Sequence, residues 1–214
     1  MSENVVRAGQ FGFSFNQRRC TGCKTCEMAC KDYHDLGLAS SFRTVREYAG
    51  GTWERNIEGA WEQDVYAFYV SLSCNHCSNP VCIRICPEEA VGKDDLGFVT
   101  IDPDACTGCQ ICILGCPYHA PCFDEASAKV VKCDGCFDRI EQGLAPVCVE
   151  ACPQRALGFG LYKDIGEYPL LVENVAFMPD PSITQPNYAI DPCDAALKAA
   201  ASPSLLRSLE EIRC

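Results

Sequence analysis

Short stretches in which apolar residues alternate with polar or small ones recur along the chain, and each predicts a β-strand. These stretches are Phe11–Phe15, Phe42–Tyr48, Val65–Leu72, Ala90–Lys93, Phe98–Ile101, Pro121–Asp124, Lys129–Lys132 and Ala156–Gly160. Polar turns join the fourth stretch to the fifth and the sixth to the seventh, so these two pairs are predicted to form hairpins.

The remaining segments predict few regular elements. Residues 36–73 form an insertion, in which a turn and an exposed loop follow Ala49. A short helix is expected over Phe137–Leu144. Residues 165–190 are proline-rich and predict an extended arm. Two helices should follow, one starting at Asp191 with Asp as the N-cap and proline at the first helical position, and one over Ser204–Arg213.

Four groups of cysteines lie between the predicted strands. The third group, Cys106–Pro117, has the spacing C-x2-C-x2-C-x3-C-P, which is the bacterial ferredoxin signature for a [4Fe–4S] cluster. The first group repeats this spacing, the second has a longer middle spacer, and in the fourth eleven residues separate the second and third cysteines. The groups are Cys20, Cys23, Cys26, Cys30; Cys74, Cys77, Cys82, Cys86; Cys106, Cys109, Cys112, Cys116; and Cys133, Cys136, Cys148, Cys152.

Composition and charge exclude several classes of protein. The chain has 19 cysteines in 214 residues, but the odd number and the metal-ligand spacings argue against a secreted disulfide scaffold. The net charge of −11 disfavours binding to nucleic acid or to anionic lipid. No apolar run is long enough to span a bilayer, and the N-terminus has no signal-peptide core. We therefore expect a cytoplasmic protein, or one held at either membrane face, or exported, through partner subunits.

The cysteines predict four iron–sulfur clusters. In ferredoxins with two motifs, the fourth cysteine of each motif ligates the cluster of the other motif. Several pairings of motifs are compatible with the sequence, but the shortest hairpin joins the second motif to the third, so we pair those two and leave the first and fourth to each other. The predicted sets are Cys20, Cys23, Cys26, Cys152 (set 1); Cys133, Cys136, Cys148, Cys30 (set 2); Cys74, Cys77, Cys82, Cys116 (set 3); and Cys106, Cys109, Cys112, Cys86 (set 4).

The predicted fold class is α+β, with two ferredoxin-like modules that arise from an internal repeat. Residues 1–35 and 125–164 form the first module, 36–73 the inserted strands and loop, 74–124 the second module, and 165–214 the arm and C-terminal helices. Little apolar core is visible in either module. Cluster ligation is therefore expected to supply much of the stability.

Other residues of interest have simpler interpretations. Cys122, Cys193 and Cys214 are left over and are expected to be packed or exposed thiols. The three histidines are best interpreted as ordinary residues. His76 and His119 lie within or just past cysteine loops, where hydrogen bonding to sulfur or shielding of it is the alternative and ligation of iron is not expected; His34 is expected at the surface. The cations Lys24, Arg84 and Lys132 lie close to cysteines, where they either tune a cluster or are simply solvated.

Several segments together resemble the electron-transfer subunit of the dimethyl sulfoxide reductase family. They are Cys20–Tyr33, Arg46–Gly51, Ser73–Cys77, Lys132–Cys136 and Thr184–Asn187, within a resemblance that covers most of residues 10–190. The resemblance implies a non-catalytic, four-cluster subunit between a molybdopterin catalytic subunit and an integral membrane subunit that oxidises quinol. It also implies that set 1 faces the pterin and set 4 the quinone.

The resemblance bears on cluster type through Cys109. In nitrate reductase relatives a tryptophan at this position gives a three-iron cluster, so Cys109 implies four [4Fe–4S] clusters here. The same type of subunit serves enzymes for several substrates, so the sequence does not select one. Two alternatives stay open: an electron-transfer subunit of a hydrogenase or formate-lyase type of complex, and an interaction module that contains zinc instead of iron.

Overall fold

The computed structural model describes residues 9–165, 171–175, 177–199 and 205–206. The strands are β1 (Phe11–Asn16), β2 (Arg43–Gly50), β3 (Trp53–Arg55), β4 (Trp61–Gln63), β5 (Tyr66–Ser73), β6 (Val91–Lys93), β7 (Val99–Ile101), β8 (Cys122–Asp124), β9 (Lys129–Val131), β10 (Leu157–Leu161), β11 (Tyr188–Asp191) and β12 (Leu205–Leu206). The α-helices are α1 (Thr25–Tyr33), α2 (Val81–Arg84), α3 (Ile111–Gly115), α4 (Phe137–Glu141), α5 (Val147–Glu150) and α6 (Asp194–Ala199). The 3₁₀ turns are Gln17–Arg19 and Pro181–Ile183.

The first sheet has the strand order β10-β1-β11 and connects distant parts of the chain. β1 runs antiparallel to β10, with Phe15 opposite Leu157, and parallel to β11. Because β1 leads towards the first cysteine group and β10 follows the fourth, antiparallel pairing places both groups at the same end of the sheet.

The second sheet has the strand order β12-β2-β5. Its strand β5 ends directly before the second cysteine group. β2 and β5 pair antiparallel from Arg43 opposite Ser73 to Gly50 opposite Tyr66. Inward-facing side chains alternate along the long strands of both sheets, and they pack into one apolar core that the two sheets share. Its strand residues include Phe13, Phe15, Val45, Tyr48, Tyr66, Phe68, Val70, Leu72, Leu157, Tyr188 and Ile190.

The β6–β7 and β8–β9 hairpins form where the sequence predicts them, but each strand has only three residues. The β8–β9 hairpin spans the predicted boundary at 124/125, and the division into modules stays a prediction. The mixed helix and strand content agrees with the α+β class. None of the described helices has the length and apolar character needed to cross a membrane.

Three local predictions are wrong. The predicted loop after Ala49 contains the β3–β4 hairpin, whose strands are exposed on both faces and therefore show no apolar alternation. Asp191 does not cap a helix; it ends β11 and its carboxylate accepts a hydrogen bond from Asn16 Nδ2 at 2.8 Å, while α6 begins at Asp194. Leu205–Leu206 pair with β2 as a strand instead of lying in a helix; the rest of that predicted helix is outside the described residues.

Candidate metal centres

A left-handed residue precedes the second cysteine of each group. The φ angles are +69° at Gly22, +43° at His76, +74° at Gly108 and +82° at Gly135. A Cβ at Gly22 or Gly135 would approach the rings of Tyr69 and Phe98 within 2.4 and 2.3 Å, so glycine is required there by space as well as by φ. The same left-handed step therefore occurs at the same place in all four groups, with glycine in three of them and His76 in the fourth.

The four cysteines of set 1 line one cavity, together with Phe15 and Val45. Ala156 N–H donates to Cys152 Sγ at 3.3 Å, and the Ser71 hydroxyl lies 3.6 Å from Cys26 Sγ. Burial raises the pKa of Cys20 to about 11. Cys23 is exposed, and its hydrogen bond with the Thr25 hydroxyl at 3.4 Å lowers its pKa.

Set 2 is formed where α1 packs against α5, because Cys30 lies on α1 and Cys148 on α5. All four cysteines of this set are buried. Burial, followed by the neighbouring Cys148 thiolate, raises the pKa of Cys30 to about 12, and burial raises the pKa of Cys133 well above its usual value. Gly135 N–H donates to Cys133 Sγ at 3.4 Å.

His34 lies beside set 2, and its predicted surface position is wrong. Its side chain is only 13% exposed, because it packs on Phe42 at the end of α1. Its Nε2 is 3.5 Å from Cys136 Sγ and 3.9 Å from an Asp134 carboxylate oxygen. The sequence offered His76 and His119 for such a contact with a cysteine sulfur; in the structure His34 makes it instead, to Cys136 Sγ.

Set 3 lines a second cavity, together with Tyr118, Thr184 and Lys132. β5 delivers Cys74 directly, and Cys116 follows α3 from the third cysteine group. Burial raises the pKa values of Cys77 and Cys82 to about 12.

Set 4 lines a third cavity, together with Val91, Ile101 and Val130. Its Cys109 is exposed, and its Cys106 and Cys112 are buried. Cys86 follows α2 but belongs to set 4, and Cys116 follows α3 but belongs to set 3. The two cysteines are exchanged where α2 packs against α3.

The structure thus brings together the cysteines of each predicted set; that they ligate iron stays a prediction. The donor chemistry fits a cubane, which requires four soft anionic sulfurs and is tuned by hydrogen bonds to them. Several of these thiols have pKa values of about 12, so a bound soft metal is what would hold them as thiolates at neutral pH. Four sulfurs are also a zinc donor set, but a tetrahedral site with Zn–S bonds of about 2.3 Å needs sulfurs roughly 3.8 Å apart. The described residues hold no group of three cysteine sulfurs that all lie within 4.8 Å of one another, so the spacing favours the larger cubane over a single zinc ion.

The remaining histidines and spare cysteines take no part in the four sets. His76 is buried and its Nδ1 accepts the Val99 N–H at 2.9 Å; burial, then Lys132 and Lys93, lower its pKa. The His119 side chain is exposed. Cys122 is fully buried and its thiol donates to the Ser41 carbonyl at 3.4 Å. Cys193 packs partly buried against the sheet core, and Cys214 lies outside the described residues.

Cations close to the cysteines are in very different environments. Arg84 is exposed and donates to Asn79, and Lys24 adopts the left-handed conformation just before α1. Lys132 is buried, and so is Arg43, which sequence reasoning missed. A charged residue at an inward-facing position of the predicted strand at 42–48 was the available signal.

Comparisons with known proteins agree with these centres. A family model described as a 4Fe-4S dicluster domain matches residues 65–162, and one described as a 4Fe-4S binding domain matches residues 18–33. The chain is 42% identical to the B subunit of anaerobic dimethyl sulfoxide reductase of Haemophilus influenzae over 203 residues, which cover 95% of this chain and 99% of the relative.

Two further relatives extend this result. The B subunit of anaerobic dimethyl sulfoxide reductase of Escherichia coli K12 is 48% identical over 183 residues, covering 86% of this chain and 89% of the relative. The thiosulfate reductase electron transfer subunit PhsB of Salmonella typhi is 34% identical over 152 residues, covering 71% of this chain and 76% of the relative. The chain therefore belongs to the family of iron–sulfur electron-transfer subunits of the dimethyl sulfoxide reductase type.

Proposed function

We propose that the chain holds four [4Fe–4S] clusters, one on each cysteine set, and conducts electrons through them in the order 1, 2, 3, 4 or the reverse. The clusters supply one-electron redox chemistry, and the chain supplies sulfurs, hydrogen bonds and low-dielectric surroundings. The chain is a non-catalytic subunit of an oxidoreductase complex.

The main support is the pattern of exposure along the sets. Sets 1 and 4 each include one exposed cysteine, Cys23 and Cys109, whereas all of set 2 is buried and set 3 has no exposed member. Neighbouring sets are also close: Cys26 of set 1 interacts electrostatically with Cys148 of set 2, and Cys133 of set 2 with Cys74 of set 3. An electron path whose middle members have no exposed cysteine and whose two ends each have one is what a relay between two partners needs.

The partners follow from the family. We assign the end at set 1 to a catalytic subunit that holds molybdenum or tungsten on a bis-pterin cofactor, and the end at set 4 to a quinol-oxidising membrane subunit or another donor. Relatives carry the names of dimethyl sulfoxide and thiosulfate reductases, which supports a catalytic partner. In this arrangement residues 1–35 and 125–164 serve the catalytic side and 74–124 the donor side, and the chain is membrane-associated through its partners.

Metal content and spectroscopy test the proposal. The complex purified without oxygen should contain four clusters in this chain, measured as iron and acid-labile sulfide, and reduction should give electron paramagnetic resonance (EPR) signals of interacting [4Fe–4S]⁺ centres. The substitutions Cys109→Ser and Cys109→Trp should each convert one cluster to a three-iron form, with Cys122→Ser as the control that changes no cluster. A colourless chain with one zinc per set, or an unchanged four-iron spectrum in both Cys109 variants, would contradict the proposal.

A further inference from the structure

Two cations are buried at successive junctions between the cysteine sets. Arg43 is 1% exposed and Lys132 is 6% exposed. Within the described part of the chain, neither has a carboxylate within salt-bridge distance. A buried charge without a counter-ion is strongly unfavourable, so the compensating negative charge must come from another source.

Lys132 lies between sets 2 and 3. Its Nζ donates to Cys74 Sγ of set 3 at 3.5 Å and to the carbonyl of Cys133 of set 2 at 2.9 Å, and a third hydrogen bond goes to the Val99 carbonyl. The three donors of the ammonium are thus all used. Two of these acceptors are neutral carbonyls, which leaves the cysteine sulfurs as the anionic groups within reach.

Arg43 lies between sets 1 and 2. Its Nη1 donates to the Ser71 hydroxyl at 3.2 Å, and that hydroxyl is 3.6 Å from Cys26 Sγ of set 1. Its Nη2 donates to the Ser73 hydroxyl at 2.9 Å, and the guanidinium stacks over the Phe13 ring at 4.8 Å.

The electrostatic neighbours of Arg43 include cysteines of two sets. Burial by itself lowers the pKa of Arg43, but the negative charges of the Cys148, Cys26, Tyr188 and Cys133 side chains outweigh it and the pKa is raised. Cys26 belongs to set 1, and Cys148 and Cys133 to set 2, so this guanidinium faces two sets at once. Arg43, at the junction of sets 1 and 2, thus has the same kind of surroundings as Lys132 at the next junction, between sets 2 and 3.

A cluster with four cysteine ligands is anionic and gains one more negative charge when it is reduced. A fixed positive charge in a low-dielectric interior stabilises the reduced form more than the oxidised one. Resting on the proposed function, we propose that Arg43 and Lys132 are built-in counter-charges that raise the reduction potentials of the clusters they face. Arg43 acts on sets 1 and 2, Lys132 acts on sets 2 and 3, and neither acts on set 4.

The set-specific pattern is the test, and each protein carries its own internal reference. Redox titration of the intact complex, followed by EPR, gives the midpoint potentials; the Cys109 conversion identifies the signal of set 4. For Lys132→Met we expect the potentials of sets 2 and 3 to fall by about 59 mV, which corresponds to a tenfold change in a one-electron equilibrium. Arg43→Met should shift sets 1 and 2 by a similar amount. Set 4 should keep its potential in both variants.

Charge-conserving and surface variants separate tuning from packing. Lys132→Arg and Arg43→Lys keep the charge and should keep the potentials close to those of the unmodified protein. Lys163→Met removes an exposed charge and should shift none of them. If a methionine variant loses iron, the charge-conserving variants decide. A shift of about 59 mV in a midpoint potential of either Lys132→Arg or Arg43→Lys overturns the proposal.

Other outcomes also overturn it. Unchanged potentials in iron-replete Lys132→Met and Arg43→Met would do so, and so would an equal shift of all four clusters, because that would indicate a general loosening of the fold. Failure of the proposed function looks different, since iron or the four-cluster signals would then be missing from the unmodified complex.

Discussion

Two regions of the molecule are held together in different ways. The sheet region, made of the two three-stranded sheets, has strands of up to eight residues and an extended core rich in aromatic side chains. The hairpin region, residues 74–132, has three-residue strands and one-turn helices. Its central cluster consists of Ala90, Cys106, Cys112 and Val130, so half of its members are cysteines.

This difference indicates where the stabilising free energy comes from. Each fully buried large apolar side chain contributes roughly 1.5–3 kcal/mol, and the sheet region has many of them. The hairpin region has fewer, among them Phe98, Val99 and Val130. It also holds thiols such as Cys77 and Cys82, whose pKa values burial raises to about 12. Small domains of that kind fold with their metal as part of the structure. We therefore expect the sheets, to which the insertion at 36–73 contributes, to depend less on the cofactors than the hairpin region does.

Removing iron should have the largest effect and should act on one region. With a strong chelator under reducing conditions, we expect amides of residues 74–132 to lose hydrogen-exchange protection while β2 and β5 keep most of theirs. The cause is that β2 and β5 form a ladder of eight residue pairs on a core whose buried members are mostly aromatic and aliphatic, with a few cysteines of sets 1 and 2 among them. Hydrogen exchange measured by mass spectrometry gives both regions in one experiment. Equal loss of protection in both regions would show that the sheets are not independent of the clusters.

A core substitution in the sheet region should have the opposite selectivity. Phe68 is 3% exposed and stacks on Tyr48 at 5.4 Å, so Phe68→Ala should lower the free energy of unfolding by about 3–5 kcal/mol through lost burial and a cavity. The iron bound by sets 3 and 4 should remain. Trp61→Ala on the exposed hairpin is the matched control and should change stability little, because Trp61 is 66% exposed. Denaturant unfolding with iron analysis measures both quantities, and loss of iron from set 4 in Phe68→Ala would break the comparison.

The smallest effect is expected at a cysteine of the hairpin region that belongs to no set. Cys122→Ser keeps the size and the donor to the Ser41 carbonyl, so we expect a change of about 1 kcal/mol or less and a full complement of iron. Cys116→Ser, by contrast, should disturb set 3. Thermal unfolding and iron content of the two variants provide the measurement. If Cys122→Ser lost a cluster, the division between packed and set-forming cysteines would need revision.

Sequence patterns predicted the local elements well where one physical signal dominated. The cysteine spacings and the alternation in Phe11–Phe15 and Val65–Leu72 are of this kind. The β3–β4 hairpin was missed because strands exposed on both faces carry no apolar alternation. The helix start at Asp191 was wrong because pairing with β1 outweighed the capping signal of Asp followed by proline. His34 was misplaced because its burial depends on Phe42, which lies just before β2 and outside α1.

The sequence by itself determined which cysteines form groups, because spacing within a group is a property of a few consecutive residues. The sequence favoured one pairing of the groups through its shortest hairpin but left others open, and the tertiary structure decided which groups meet. Antiparallel pairing of β1 with β10 brings the first group to the fourth, and packing of α2 on α3 brings the second to the third. The tertiary structure also decided the environments of Arg43 and Lys132. Both look like ordinary charges in the sequence, and burial between two sets of sulfurs is a long-range outcome of how the strands pair.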